Sequence, residues 1–351
     1  MKNLPLVSIL IPTYNQPEYF RQALESALNQ TYPNIEIIVS DDSTDNRVER
    51  VASEYKDRIQ FFKHGKDYRN ESASERALLN IDNSLELSHG EFVNILLHDD
   101  IIYPQKISKM MKFFTGNDGD RIAIVSSARD LIDNNGNFLG RVDLVEQMNF
   151  YGGRDSIFFT GDEVGRLIFM VCGNFISEFS TVLMRREDFY RSYIGKFSTR
   201  YCFGIKDRSM GDISAFLEAC KNDRGLIFIR ESLSAFRSAG ENQNTFNVNV
   251  RINLVIDWLA IATGLYLQKM YLRSWKDFEF ACDYWIFLAQ RMLGFFQQNQ
   301  NAKISIDAEI LDQVLQAVES IGNHDYDSAF KIGVSWIQKY SSVTFDARYL
   351  P

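Results

Sequence analysis

The chain has 351 residues, with 38 Lys and Arg against 46 Asp and Glu, a formal net charge of −8 and 45% hydrophobic residues. That length supports a large core and more than one compact unit, and the acidic balance argues against a sequence-independent grip on nucleic acid, so no nucleic-acid partner is expected. The four cysteines, Cys172, Cys202, Cys220 and Cys282, make no C-x-x-C spacing, which points to reduced core thiols in a cytoplasmic protein rather than a disulfide framework or zinc site.

Leu6 to Ile11 is a short apolar run closed by Pro12, Thr13, Tyr14 and Asn15. It is too short for a secretory leader and reads as a buried parallel strand that delivers a loop. Pro17 suits a first helical turn, and Phe20, Ala23, Leu24, Ala27 and Leu28 recur at helical spacing. The next strand, Ile35 to Val39, ends in the polar loop Ser40-Asp41-Asp42-Ser43-Thr44-Asp45. A helix from about Arg47 to Tyr55 and a strand at Ile59 to Phe62 follow. Ala77, Leu78, Ile81 and Leu85 then mark a helix before a strand from Glu91 to Leu97.

That strand runs into His98-Asp99-Asp100. Ligands in α/β sheets gather at such strand ends, and two adjacent carboxylates resist ionising together unless a divalent cation joins them. The competing reading makes one Asp a cap for the helix beginning near Pro104. Ile107, Met110, Met111 and Phe114 lie on that helix, and Ile122 to Ser126 form the next strand. Residues 128–170 read as a glycine-rich irregular stretch, expected to be a binding loop. A strand at Phe179 to Met184, a helix opening at Gly211-Asp212 and a last strand at Gly225 to Ile229 follow. Strand and helix alternate to this point, as in a mostly parallel sheet with helices on both faces.

From about Val250 the pattern is helical only, in segments near 251–270, 275–297, 307–321 and 325–340. The expected division is a domain over residues 1–245 and an all-helical C-terminal domain over 246–351, parted in the polar run Ala239 to Asn244. Asp325 to Phe330 has a faint half-repeat look and reads better as a plain core helix. The aromatic helix around Tyr284, Trp285 and Phe287 is expected to make a homodimer or membrane-surface contact. No uninterrupted apolar stretch is long enough to cross a bilayer, so the expected location is the cytoplasm, free or peripheral at the inner membrane face.

Four blocks, taken in order, carry a resemblance: Val7 to Asn15, Ala27 to Asn34, Glu36 to Asp45, and Gly90-Glu91-Phe92 leading to His98-Asp99-Asp100. Over residues 5 to 240 the chain resembles family two glycosyltransferases. The resemblance implies a GT-A, Rossmann-like fold and transfer of a single sugar, with inversion, from a UDP- or dTDP-sugar to a glycan, lipid-linked or protein acceptor in surface glycan assembly. It also implies a Mn²⁺ or Mg²⁺ ion.

Carried over by position, the donor would be bound by Pro12, Thr13, Tyr14, Asn15, Asp42, Arg76 and Asp99, the metal by Asp99 and Asp100, and Asp212 would be the base, with Asp207 in reserve and Gly195-Lys196-Phe197 part of the same block. Tyr14 can lie against a pyrimidine face and Asp42 can accept its imino N–H. Arg69 and His98 are further candidates near the diphosphate. Two positions depart from the pattern. Leu97 stands where many relatives carry a carboxylate, and no His follows Arg237, leaving Ser238, Asn242 or Arg237 itself to meet the diphosphate. The processive Gln-x-x-Arg-Trp signature is absent. A rival reading is a GT-A-shaped binding or assembly module that has lost its catalytic set and acts through its helical tail.

Overall fold

The computed structural model describes residues 4–64, 73–170, 174–194, 201–202, 205–206, 211–221, 224–238, 248–267, 269, 271–298 and 308–340. The elements begin with β1 (Val7–Thr13), α1 (Pro17–Leu28), β2 (Ile35–Asp41), α2 (Arg47–Ser53), β3 (Gln60–Lys63), α3 (Ala73–Glu86) and β4 (Phe92–Ile95). Next come β5 (Ile101–Ile102), α4 (Lys106–Phe114), β6 (Ile122–Ile132), β7 (Phe138–Val142), α5 (Leu144–Gln147), β8 (Ser156–Phe159) and α6 (Gly161–Met170). They continue with β9 (Leu183–Arg185), α7 (Arg186–Ile194), β10 (Tyr201–Cys202), β11 (Ile205–Lys206), α8 (Gly211–Ala219) and β12 (Gly225–Arg237). The last four are α9 (Val248–Leu267), α10 (Trp275–Gln298), α11 (Ala308–Gly322) and α12 (Tyr326–Tyr340).

Two compact units result. The first gathers Met1–Gly161, Phe175–Arg191 and Ala219–Ala239, the second Asp162–Asn174, Ser192–Glu218 and Gly240–Pro351.

The first unit is built on a mixed sheet in the order β3-β2-β1-β4-β9-β6-β12-β5, with β7 paired to β6 and β8 to β12. β1 is parallel to both β2 and β4, and all seven of its residues are buried. A strand covered on both faces cannot alternate polar and apolar residues, which is why Val7 to Ile11 reads as nearly continuous hydrophobic sequence. Val7, Ile9 and Ile11 face a core shared with Phe20 and Leu24 of α1, Val48 of α2, and Met110 and Phe114 of α4. Leu10 and Ile38 point the other way, where α3 packs on β1 and β2. Each such fully buried aliphatic side chain contributes about 1.5–3 kcal/mol.

At the opposite end from the acidic loops the same three strands are locked by polar contacts. The Ser8 hydroxyl donates to Glu36 Oε1 at 2.6 Å and accepts from the Gly90 amide at 2.9 Å, while the His89 amide donates to Glu36 Oε1 at 2.6 Å. Register along β1, β2 and β4 is thereby fixed, and so is the level at which their carboxyl ends emerge.

Residues 128–170 are not an irregular binding loop. They hold the end of β6, then β7, α5, β8 and α6. The Asn134-Asn135-Gly136-Asn137 signal belongs to a tight turn between β6 and β7, and Gly152 and Gly153 to a turn between α5 and β8. Asp133 Oδ1 accepts from the amides of Asn135 and Asn137 at 2.8 Å each, and Gly136 takes φ 86°. Turn chemistry of this kind makes a hairpin as readily as a loop. Phe179 to Met184 is likewise not one strand: Phe179–Thr181 form a single 3-10 turn that leads into β9.

In the second unit α9 is buried almost all round, from Val255 through Leu265, as expected of a central helix. Tyr266, Trp275, Phe278 and Phe330 form an aromatic cluster with ring centres 5.2–5.7 Å apart. Trp285 is core: it is 3% exposed and its indole N–H donates to the Val255 carbonyl at 2.8 Å. Of the aromatic stretch on α10, the exposed members are Phe280 and Phe287, the latter 68% exposed. Among the described residues no helix is long and apolar enough to cross a membrane.

A Cβ on Gly90 would come within 2.6 Å of both the Ser8 hydroxyl oxygen and the Ser8 amide nitrogen. Gly90→Ala should therefore destabilise the protein by about 1–3 kcal/mol, read as a lower urea midpoint with an unchanged slope.

Candidate active site

The parallel pairing of β1 with β2 and β4 brings two acidic loops to one edge of the sheet. Thr13 is paired with Asp41 and Leu10 with Ile95, so at about 4.8 Å per strand the β2 and β4 loops leave the sheet roughly 10 Å apart. Asn15 joins the β1 and β2 loops. It takes φ 54°, its amide donates to the Ser43 hydroxyl at 2.8 Å, and its Oδ1 accepts from the Thr44 amide at 2.9 Å. Asparagine tolerates this left-handed backbone better than most residues. His98 joins the β4 loop to β1, with Nε2 2.9 Å from Gln16 Oε1. Burial lowers the His98 pKa, and the field of Asp99 opposes that shift.

Pro12 and Thr13 are buried and Tyr14 and Asn15 half-buried. The Arg76 guanidinium lies 4.6 Å from the centre of the Tyr14 ring. Asp42 Oδ1 accepts from Asn80 Nδ2 at 2.5 Å, while Oδ2 is buried with no hydrogen-bond partner among the described residues. Burial raises the Asp42 carboxyl pKa, and Asn80 and Arg76 pull it back. The neighbouring Asp41 is fully buried. It accepts from the amide and hydroxyl of Ser43 through Oδ1, and its Oδ2 also lacks a partner.

Asp99 is half-buried and Asp100 only 1% exposed. The turn carrying them is clasped by Arg237 at the end of β12. The Arg237 amide donates to Asp100 Oδ1 at 3.1 Å, Nε to the Asp99 carbonyl at 2.9 Å, one terminal nitrogen to the Asp133 and Asn134 carbonyls at 2.8 and 3.1 Å, and the other to Gln22 Oε1 at 2.8 Å. Its guanidinium also lies 4.4 Å from the centre of the Tyr19 ring. Four of the fork's five donors are thus engaged within the protein, as a structural clasp. The Ser238 amide donates to the Ile132 carbonyl at 2.8 Å.

Asp100 Oδ2 is buried without a hydrogen-bond partner of ordinary geometry. Burial pushes the Asp100 carboxyl pKa well up, and Asp99 and Glu178 push it further, against smaller opposing effects of the Ser180 hydroxyl and the Arg237 amide. Lys106, fully buried in the first turn of α4, donates to the Ser180 carbonyl, and burial draws its pKa down to about 7 against the fields of Asp100 and Glu178. Glu178 pairs with Arg129 at 2.7 Å, yet burial still raises its pKa.

Asn80, Lys106 and Glu178 escape a reading of the sequence. Each lies on a stretch that looks like ordinary helix or loop, and no local spacing marks it. Among the described residues no three His, Cys, Asp or Glu side chains group as a complete metal cage. One or two carboxylates with an unfilled oxygen are nevertheless what a Mg²⁺- or Mn²⁺-type ion takes from a protein when substrate phosphates supply other ligands. The orphaned Oδ2 of Asp100, with Asp99 beside it, fits that requirement.

Asp212 belongs to the second unit, in the first turn of α8. Its Oδ2 accepts from Asn174 Nδ2 at 2.7 Å and its Oδ1 from the Ile213 amide at 2.8 Å. Arg69, Gly195, Lys196, Phe197, Asp207 and Asn242 lie outside the described residues.

A mixed, mainly parallel sheet with acidic loops at the carboxyl ends of β2 and β4, followed by C-terminal helices, is the GT-A class of α/β fold. Residues 8–207 match the model of glycosyl transferase family 2, more than half the chain, and the protein belongs to that family. It is 39% identical over 129 residues to an uncharacterised glycosyltransferase of Rickettsia typhi, across 37% of this chain and 38% of the relative. A Methanocaldococcus jannaschii relative, also an uncharacterised glycosyltransferase, is 34% identical over 140 residues, 38% of this chain and 45% of its own. The aligned stretch thus spans less than half of either relative.

Two crystal structures share the fold at 14% identity. S. aureus TarS 1-349 has a TM-score of 0.50 with 97% of this chain and 96% of its own covered. The mannosyltransferase PcManGT from Pyrobaculum calidifontis, in complex with GDP-Man and Mn²⁺, has a TM-score of 0.51 with 97% and 88% covered.

Truncating the clasp with Arg237→Leu leaves the Asp99, Asp133 and Asn134 carbonyls without their donor. It should cost about 3 kcal/mol or more in urea unfolding. Arg237→Lys should recover only part of that, because one ammonium cannot span the fork's partners.

Proposed function

We propose that the protein is a metal-dependent inverting glycosyltransferase, which moves one sugar from a UDP- or dTDP-sugar to an acceptor hydroxyl on a glycan, lipid-linked or protein substrate in surface glycan assembly. The observation that carries the reading is the pair of buried, unpartnered carboxylate oxygens, Asp42 Oδ2 and Asp100 Oδ2, at one edge of one sheet. Unsatisfied buried acceptors are rare enough to call for a ligand. Asp42 would accept the imino N–H of the base, with Tyr14 against the ring and Pro12, Thr13, Asn15 and Arg76 shaping the pocket. Asp99 would meet the ribose and share the cation with Asp100.

A bound Mn²⁺ or Mg²⁺ ion would neutralise charge on the departing nucleoside diphosphate. The burial of Asp100 keeps water away from that carboxylate, and the Arg237 clasp holds its turn in place. Asp212, its carboxylate oriented by Asn174, would take the proton from the acceptor hydroxyl. The resemblance of the Gly211-Asp212 block supports that role.

Thermal unfolding tests the donor site. UDP with Mn²⁺ should stabilise the protein more than either alone, by about 2.7 kcal/mol at 100 times the dissociation constant, and Asp100→Asn should abolish the cooperation. The buried acids add a pH signature. Asp41, Asp42, Asp100 and Glu178 have raised carboxyl pKa values in the folded state, so each holds its proton more tightly folded than unfolded. Their stabilisation is present below about pH 4 and is lost as pH rises through the native values. A cation competes with the proton that burial favours on Asp100, so its protection should weaken as pH is lowered. No shift with any pyrimidine nucleoside diphosphate would favour a GT-A-shaped binding module instead.

Asp212→Asn should keep the UDP and Mn²⁺ shift but lose about 10²–10⁴-fold in transfer or in slow donor hydrolysis. Unchanged turnover would remove Asp212 from the role of base. A hydrolysis screen across donor sugars, which needs no acceptor, would identify the sugar.

A further inference from the structure

Behind Asp42 lies a chain of polar side chains that no step above uses. Asn80, 3% exposed on α3, places Nδ2 2.5 Å from Asp42 Oδ1 and 3.4 Å from the Thr13 carbonyl oxygen. Both neighbours can only accept, so the amide nitrogen must face them and the amide oxygen must face Ser40 Oγ, 2.9 Å away. Ser40 has one proton, and Asn80 Oδ1 takes it. His64 Nε2, 2.6 Å from the same hydroxyl oxygen, must then donate. Asn83 Nδ2 lies beside the same ring, 3.1 Å from Nε2 and 3.3 Å from Nδ1. The proton order thus runs one way, from His64 through Ser40 to Asn80 and Asp42. Each bond polarises the next.

Building on the donor-site reading above, we infer that Asn80 is a positioning residue that occupies one oxygen of Asp42 and leaves the other as a single acceptor, so that the site selects bases with one imino N–H, uracil or thymine, over cytosine and guanine. Uracil and thymine present one ring donor between two carbonyls, which matches one free oxygen. Cytosine presents a ring-nitrogen lone pair at that position, and acceptor would face acceptor. Guanine presents two donors side by side, which suit a carboxylate with both oxygens free, and here Oδ1 is taken. Burial alone would favour a protonated Asp42, able to donate, and the Asn80 amide opposes this.

Calorimetric titration of UDP, CDP and GDP in the presence of Mn²⁺ tests the inference. The native protein should bind UDP at least roughly 10-fold more tightly than CDP or GDP. Asn80→Leu, close in size and without a donor, should shrink both ratios by roughly 10-fold, through weaker UDP binding with CDP and GDP less affected. Ser40→Ala leaves Asn80 in place but frees its amide to turn, and should shrink the ratios in the same direction by less. It also serves if Asn80→Leu fails to fold.

Equal weakening of all three nucleotides would mean that Asn80 is only a packing residue, and would overturn the inference. A native protein that prefers GDP or CDP would also overturn it while leaving a nucleotide-sugar site intact. A native protein that binds no nucleoside diphosphate would sink the donor-site reading and this inference with it.

Discussion

The site depends on desolvation of carboxylates at the carboxyl ends of β2 and β4. Withdrawing Asp42 and Asp100 from water penalises their charged forms, and in each case one oxygen is engaged by a fixed donor while the other has no partner of ordinary hydrogen-bond geometry among the described residues. A fold retains such groups at a cost of about 1–3 kcal/mol for each unsatisfied atom. Backbone pairing along β1 holds them there. Because β1 is hydrogen-bonded on both sides, the two acidic loops cannot move apart without breaking the ladder that supports the core.

The charges around the Asp99-Asp100 turn follow from the same constraint. Lys106 is buried beneath it and Arg129 pairs with the nearby Glu178, so two cations offset part of the field of the acids there. Arg237 serves the same turn through its side chain. Most of its fork is taken by backbone carbonyls and Gln22, which makes it the fastening for the turn. In the proposed reading, with no His within a few residues after Arg237 and Leu97 in place of a carboxylate, the Asp pair would be the protein's contribution to a cation and the diphosphate would complete the coordination.

The second unit is organised by aromatic packing instead of charge. Tyr266, Trp275, Phe278 and Phe330 meet edge to face or tilted, the arrangements that ring quadrupoles favour. Trp285 adds a hydrogen bond across to α9. Its inward turn removes the largest member of the aromatic stretch from any surface role. Among the described side chains of α10, Phe280 and Tyr284, 4.8 Å between ring centres and one turn apart, and the exposed Phe287 remain outside that core.

The order of strands and helices in the first half, the four C-terminal helices, and Asp42, Asp99 and Asp100 as strand-end acids were all legible in the amino-acid sequence. Hydrophobic periodicity and turn residues are local signals, written within a few residues of the element they specify. The same locality misread residues 128–170, where Asn and Gly mark a turn whether the chain beyond it returns as a strand or wanders as a loop. Whether β7 could pair depended on β6 lying open beside it. Asn80 behind Asp42, Lys106 and Glu178 beneath Asp100, and Arg237 as a clasp were decided only by tertiary structure. The partners that decide them lie 38 to 215 residues away in the chain, and which hydrogen bonds a buried polar group completes depends on what folding brings against it.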